Sequence, residues 1–283
     1  MKRRILALLS VVLFTYGALL HAQTPRFHVL AFYTEKTEAD HVDFARQAIT
    51  FFESEAKREN FSWRVTTDWN DLNATNLQQY QLVVWLNDSP QEMAQRAAFE
   101  QYMKHGGAWL GFHFAGYNDE RTHWPWFVGD FLDAVFLTNS WPPLPADLVV
   151  EDRSNPITRG LPATYISPAN EWYIWKPNPR DNKDIHVLVS LSPSNYPLGM
   201  KDTLTAGDLP VVWTNTKYKM IYCNMGHGDK VFTSATQNQL FTNAILWLGE
   251  AGAKQAARAT GEAQTAPYNA LPVSPMMAKQ TAR

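Results

Sequence analysis

The sequence has a single cysteine, Cys223, and no block of basic residues. One cysteine cannot form an intramolecular disulfide, so a hydrophobic core has to stabilise the fold. The 25 Lys and Arg residues are balanced by 27 Asp and Glu residues, which gives a net charge of −2. Proteins that bind nucleic acid need clustered Lys and Arg to neutralise phosphates. We therefore expect no nucleic-acid partner.

A long apolar run occupies residues 5–20 at the N terminus. It follows the basic residues Lys2, Arg3 and Arg4 and precedes the small residue Ala22. This order is typical of a secretory signal peptide, which we predict over residues 1–22. The run is shorter than the roughly 20 apolar residues of a membrane-spanning helix. We expect an exported protein, periplasmic or extracellular, without stable membrane insertion after cleavage.

Strand patterns alternate with helix patterns over the first half of the chain. Apolar runs at 27–33, 61–67 and 82–86 and the run before His113 predict four strands. Between them, residues 42–58, 72–79 and 91–104 have helical spacing. A glycine-rich phosphate loop is missing after the first strand, which argues against a flavodoxin-type redox carrier. The alternation predicts an α/β fold with a parallel sheet covered on both faces.

The second half has closely spaced strand patterns and one final helix. Strands are predicted at 147–150, 171–175, 185–191, 211–214 and 220–224. Because long helices are missing between them, we expect antiparallel additions to the sheet. The last helix, 237–248, is predicted to end at Gly249. The domain is expected to span residues 23–249, and residues 250–283 lack a sustained apolar face and are expected to form a flexible tail.

His113 lies in an apolar segment flanked by glycines, Gly106 to Gly116. The small residues Gly111 and Ala115 permit a sharp strand-to-turn transition like that of a nucleophile elbow. Imidazole is a poor nucleophile for acyl transfer, but it is a good metal ligand and a good general base near neutral pH. The segment therefore predicts a functional histidine at the end of a strand.

Two further histidines follow predicted strands. His41 comes after the first strand, and His227 follows the strand that contains Cys223. Because the carboxyl ends of parallel strands meet at one sheet edge, we expect His41, His113 and His227 to converge. Glu171 adds a carboxylate. Histidine and carboxylate suit zinc or another divalent metal, or alternatively a metal-free acid/base pair.

Aromatic residues predict a binding surface beside these groups. Trp124 and Trp126 lie in a segment rich in proline and tryptophan, 117–144, which reads as a partly helical insertion. With Tyr173, they are expected to wall a pocket for a saccharide, and Asp88 and Asp119 are the expected polar contacts. Cys223 lies inside an apolar strand pattern, so we expect it to be buried and inert.

Several segments together resemble the trehalose-utilisation (ThuA-like) family. They are His41 and residues 82–88, 99–113, 124–127, 149–162, 170–173, 226–227 and 247–249. The resemblance covers about residues 27–249. It implies the three-layer, flavodoxin-like fold of class I glutamine amidotransferases, with a mostly parallel central sheet. It also implies that His113 replaces the elbow cysteine of those enzymes, so glutaminase chemistry is not expected.

The resemblance links the chain to the breakdown of disaccharides through 3-keto sugar intermediates. Two positions depart from the family pattern: Asn155 replaces a histidine before Pro-Ile-Thr, and Asn170 replaces an acidic residue before Glu171. We expect an exported sugar-processing enzyme, lyase- or hydrolase-like. Its expected catalytic residues are His113, His227 and Glu171, which with His41 also form the candidate metal site. The alternative is a carbohydrate-binding accessory protein without catalysis, and both a monomer and a homo-oligomer remain open.

Overall fold

The computed structural model describes residues 24–118, 124–196, 198–199 and 208–265. The predicted signal peptide, Asp119 and the end of the predicted tail lie outside these residues. The strands are β1 (His28–Phe32), β2 (Ser62–Thr66), β3 (Leu82–Trp85), β4 (Ala108–Phe112), β5 (Phe136–Asn139), β6 (Leu144–Val150), β7 (Thr164–Asn170), β8 (Tyr173–Trp175), β9 (Ile185–Leu191), β10 (Pro210–Asn215) and β11 (Lys219–Cys223). The helices are α1 (Ala39–Glu59), α2 (Ala74–Leu77), α3 (Met93–Lys104) and α4 (Ala235–Thr265). Within the described ranges, none of the helices is both long and apolar enough to cross a membrane.

A nine-stranded sheet forms the centre, in the order β2-β1-β3-β4-β11-β10-β9-β6-β7. Its half from β2 to β11 is parallel, and the strands from β11 to β7 pair antiparallel. The predicted α/β fold, with a parallel sheet and antiparallel additions, is confirmed. β11 connects the two halves, because it pairs antiparallel with β10 and parallel with β4.

Two strands were not expected from the sequence, β5 and β7. The strand predicted at 171–175 is shorter and leaves the large sheet, because β8 pairs with β5 in a separate two-stranded sheet. The connection between β7 and β8 therefore crosses from one sheet to the other. Glu171 lies in this connection.

Alternating side chains of the parallel strands pack into two apolar layers. In β1, Val29 and Ala31 belong to a cluster that contains buried residues of α1 and α4. Leu30 and Phe32 belong to a second cluster, which contains buried residues of α3 and of the segment after Trp124. The sheet is thus covered on both faces, as a buried parallel sheet requires.

The final helix is longer than the sequence predicted. α4 continues through Gly249 to Thr265, so the helix does not end at Gly249 as the sequence predicted. Glycine is used here for close packing within the helix. A Cβ at Gly249 would lie 2.3 Å from the ring of Phe27, and a Cβ at Gly252 would lie 2.5 Å from the carbonyl oxygen of Gln81.

Two truncations should distinguish the contribution of the end of α4 to stability from that of the residues after it. A chain that ends after Thr265 is expected to melt at the temperature of the full chain. A chain that ends after Gly249 loses the ion pair between Arg26 and Glu250 and the buried Gly252. We expect its melting midpoint to fall by roughly 2–4 °C, which corresponds to about 1 kcal/mol in a domain of this size. Equal midpoints in calorimetry would instead support a domain boundary at Gly249.

Cys223 is fully buried in β11, opposite Phe112 of β4, and burial raises the pKa of its thiol. Cys223→Ser should lower the free energy of unfolding by about 1–3 kcal/mol, because the hydroxyl would be poorly satisfied in the core. Cys223→Ala is the control and should cost less. Urea unfolding measures both. Loss of activity without loss of stability would show that the thiol is a nucleophile.

Candidate functional site

Three histidines meet at the carboxyl edge of the parallel strands. His41 lies in the first turn of α1 after β1, His113 directly follows β4, and His227 lies in the loop after β11. The ring centroid of His41 lies 5.2 Å from that of His113 and 5.1 Å from that of His227. The ring centroids of His113 and His227 are 5.5 Å apart. The structure therefore brings together three residues separated by up to 186 positions in sequence.

His113 begins a 3-10 turn in a left-handed backbone conformation, with a φ of 43°. This conformation is uncommon for a residue with a side chain and is concentrated at functional sites. The loop of His227 approaches it closely. A Cβ at Gly226 would lie 2.4 Å from the Cβ of His113, so only glycine fits at this position. The turn thus has the sharp geometry that the glycine-flanked segment predicted.

Glu171 supplies a buried carboxylate to the cluster. Its Oε2 lies 3.6 Å from His227 Nε2 and 3.9 Å from His113 Nε2. One ligand atom from each of His41, His113 and Glu171 lies within 4.8 Å of the others. A second triad of this kind contains Glu38, His41 and His227. All the predicted catalytic and metal-site residues are therefore neighbours.

The protonation of His113 follows from its hydrogen bond. His113 Nδ1 lies 2.7 Å from the backbone oxygen of Asn224. Because a carbonyl oxygen only accepts, Nδ1 carries the proton and Nε2 carries a lone pair. Within the described part of the chain, His113 Nε2, His227 Nε2 and both ring nitrogens of His41 are buried without a hydrogen-bond partner. Buried polar atoms are usually satisfied by a partner, so these ring nitrogens are candidate ligands for a metal ion.

Two asparagines hold the loops of the site together. The side-chain oxygen of Asn170 accepts the backbone N–H groups of Gly226 and His227, at 3.0 and 3.1 Å. The side-chain oxygen of Asn224 accepts the backbone N–H of Tyr173 at 3.1 Å. Sequence reasoning singled out Asn170 only as a departure from the family pattern and missed Asn224. The sequence did carry a signal for Asn224, because this residue directly follows the apolar strand pattern of β11 at the carboxyl edge of the sheet.

Burial keeps the histidines neutral. It lowers the pKa of His41 to about 4, with a smaller contribution from the neighbouring His227. The pKa of His113 lies well below its ordinary value for the same reason, with His41 and His227 adding to the effect. Burial also lowers the pKa of His227, although Asp40 and Glu38 act in the opposite direction. Neutral imidazole is the form that binds a metal ion.

An aromatic wall borders the histidines. Tyr173 contacts His113 with ring centroids 4.1 Å apart, as expected for a residue of the site. The wall continues from Tyr173 to Phe136 at 4.7 Å, from Phe136 to Tyr117 at 4.9 Å and from Tyr117 to Phe114 at 5.0 Å. Phe114 then returns to His41 at 4.8 Å. We call Phe114, Tyr117, Phe136 and Tyr173 the aromatic collar.

The structure places the two predicted tryptophans at the second apolar cluster. Trp124 is buried in the apolar cluster beneath the sheet, where it contacts Phe127 and Trp85. Trp126 packs on Phe131 and donates its indole N–H to the hydroxyl of Tyr218, which precedes β11 and so lies at the opposite edge of the sheet from His227. Trp124 is part of the core, and the partly buried Trp126 packs against it, because the tryptophan- and proline-rich insertion packs against α3 and β4. Tyr173 was predicted from the sequence, whereas Phe114, Tyr117 and Phe136 were missed because they come from two other segments.

The two predicted aspartates have different outcomes. Asp88 follows β3 at the same sheet edge, where its carboxylate accepts the N–H of Ser89 and burial raises its pKa. Asp119 lies outside the described residues. Two acidic residues missed from the sequence are Glu38 and Asp40, which lie beside His41 and His227. The spacing of Glu38 three residues before His41 at a helix start was a signal for it.

Comparison with known proteins identifies the family. A family model described as trehalose utilisation (ThuA) matches residues 28–248. A protein described as ThuA-like from Bacteroides uniformis is 50% identical, with a TM-score of 0.78, over 81% of this chain and 93% of that chain. One from Parabacteroides merdae is 16% identical, with a TM-score of 0.59 over 80% and 90% of the two chains, and shares the fold. No curated protein matches this sequence. The motifs around His113 and Glu171 thus predicted the family correctly, and the chain belongs to the trehalose-utilisation family, whose description supports a role in carbohydrate utilisation.

Proposed function

We propose that this protein is an exported sugar-processing enzyme with a divalent metal ion, such as zinc, held by His41, His113, His227 and Glu171. The observation that carries the proposal is the cluster of unpartnered, buried ring nitrogens that faces the Glu171 carboxylate. Three histidines and one carboxylate form a ligand set that suits zinc. Export rests on the signal-peptide pattern of residues 1–22.

The separations in the cluster fit a central ion better than direct hydrogen bonds. The nitrogen–oxygen distances of 3.6 and 3.9 Å from Glu171 to His227 and His113 exceed the usual range of about 2.7–3.2 Å for a hydrogen bond. Two ligands that are each about 2.1 Å from a tetrahedral ion lie roughly 3.4 Å apart. The donors present therefore match the ion in type, in protonation and in approximate spacing.

The chain's own residues prepare the site for a sugar. The aromatic collar offers the partly buried rings of Phe114, Tyr117 and Phe136 beside the histidines, and such a surface suits the C–H face of a pyranose ring. Asp88 at the same edge offers carboxylate oxygens that can accept hydrogen bonds from sugar hydroxyls. A bound ion would supply Lewis acidity toward a carbonyl or hydroxyl oxygen of the substrate. Burial of the histidines keeps water away from the reacting groups.

A binding protein without catalysis is the second candidate. It would use the aromatic collar to hold a saccharide and would need neither the ion nor proton transfer. The collar supports binding equally well in both cases, so it does not separate them. The histidine cluster favours the enzyme, because an aromatic sugar platform alone requires no unpartnered imidazoles.

Metal content tests the proposal directly. Protein dialysed against zinc should retain about one ion per chain by elemental analysis. The double substitution His113→Ala/His227→Ala should lose it together with turnover of disaccharides or 3-keto glycosides. The control His28→Ala/His105→Ala removes two exposed histidines that lie outside the site, one at the start of β1 and one at the C-cap of α3. This variant should keep the ion. Protein without metal or turnover that still binds sugar would establish the accessory role, and turnover without metal would establish an acid/base pair.

The stability of the metal-free protein should depend on pH in a defined direction. The ordinary pKa of histidine is about 6.5, whereas that of His41 is about 4 in the folded chain. Between these values the unfolded chain binds a proton that the folded chain does not, so the free energy of unfolding falls as the pH falls. Urea unfolding with a chelator at about pH 7 and about pH 5 measures the loss. His41→Ala should show a smaller loss, and an equally steep dependence would contradict burial of a neutral His41.

A further inference from the structure

We propose that Glu38 and Asp40, at the start of α1, are positioning residues: their carboxylates hold His41 and His227 by the Nδ1 atoms and so aim the Nε2 atoms at the ion. This inference rests on the metal site of the proposed function. The four proposed ligands do not by themselves require such positioning residues, because neither Glu38 nor Asp40 is one of the four. It makes the first turn of α1 part of the site.

His113 shows the pattern that the other two histidines follow. Its Nδ1 donates to the oxygen of Asn224, and its Nε2 faces Glu171. An acceptor at Nδ1 fixes the tautomer and leaves the lone pair on Nε2. Partners of this kind orient metal-binding histidines and raise their basicity.

Asp40 has the equivalent place beside His227. Its Oδ2 lies 3.7 Å from His227 Nδ1, while His227 Nε2 lies on the side of Glu171. The backbone oxygen of Asp40 also accepts the N–H of Gly228 at 3.0 Å. This bond ties the start of α1 to the loop of His227. The backbone of Asp40 is therefore held beside the loop that carries His227.

Glu38 has the equivalent place beside His41. Its Oε2 lies 4.0 Å from His41 Nδ1, three residues further along the chain. Glu38 is the N-cap residue of α1, yet its side chain makes no capping hydrogen bond. Its backbone oxygen accepts the N–H groups of His41 and Val42. The helix start thus fixes the backbone of Glu38 and leaves the carboxylate turned toward the histidine.

The separations of 3.7 and 4.0 Å are too long for direct hydrogen bonds. Both carboxylates are about half exposed, at 56% for Glu38 and 49% for Asp40, whereas the imidazoles are buried. An exposed side chain can close such a gap by a small rotation or through one water molecule. The acceptors are therefore within reach of the Nδ1 protons at little cost.

A second ion between Glu38, His41 and His227 is the competing explanation, since their ligand atoms also lie within 4.8 Å of one another. A neutral imidazole has one lone pair and one N–H. To serve two ions, both His41 and His227 would have to lose their remaining protons. Carboxylates that accept these protons require no such loss, so the observations favour positioning.

The test compares Glu38→Gln and Asp40→Asn with the unaltered chain. Each substitution keeps the size of the side chain and removes the charged acceptor. Competition with a chelator should show that each raises the dissociation constant for zinc by about 10–100-fold. Asp43→Asn is the matched control, because Asp43 is an exposed acid in the same helix that faces Arg46. It should leave the constant unchanged, and thermal melting checks that all variants are folded.

Nitrogen chemical shifts measured by NMR on the metal-free chain give a second readout, which a merely structural role would not move. His41 and His227 should carry their protons on Nδ1, and each should shift toward the other tautomer in its variant. Protons on Nε2 in the unaltered chain, or unchanged dissociation constants in both variants, would overturn the inference while the metal site stands. Binding of two zinc ions, with one lost in Glu38→Gln, would make Glu38 a direct ligand and also overturn it. If the unaltered chain binds no zinc, the proposed function fails, and the tautomers still decide the positioning.

Discussion

The close contact between the His113 turn and the loop after β11 is the constraint on which the site depends. β4 and β11 are parallel neighbours in register, with Phe112 opposite Cys223, so the residues that follow each strand emerge side by side. Two hydrogen bonds then fasten the turn. Nδ1 of His113 donates to the oxygen of Asn224, and the oxygen of His113 accepts the hydroxyl of Tyr222. These bonds offset the strain of a left-handed residue and fix the direction of its imidazole.

A helix start and the connection between the two sheets supply the rest of the site around this imidazole. His41 and the two carboxylates before it come from a helix start, whose backbone is regular. Glu171 comes from the crossing between the two sheets, and the side chain of Asn170 ties that crossing to the loop of His227. The aromatic collar connects the small sheet to the histidines through Phe136 and Tyr173. A ligand that contacts Tyr173 of the collar would therefore lie next to the connection that carries Glu171.

Sequence patterns were sufficient for the parallel half of the fold and for the convergence of the histidines. Strand–helix alternation fixes which loops share a sheet edge, so His41, His113 and His227 could be grouped without knowledge of any contact. The patterns failed where tertiary packing decides the outcome. A hairpin turned β11 into a parallel neighbour of β4, and an apolar strand run does not reveal the direction of its partner. Trp124 was equally ambiguous, since a buried indole and a sugar platform have the same local sequence.

Gly226 has a consequence for the way this site can change by mutation. Every other amino acid carries a Cβ, and a Cβ at this position would overlap the Cβ of His113. Any missense change at this codon therefore displaces either the imidazole or the loop that carries His227. Substitutions of Phe114, Tyr117 and Phe136 in the aromatic collar meet a weaker barrier, because these rings are only partly buried. Evolution can therefore vary the surface that selects a ligand, while the spacing of the histidines stays fixed by one residue without a side chain.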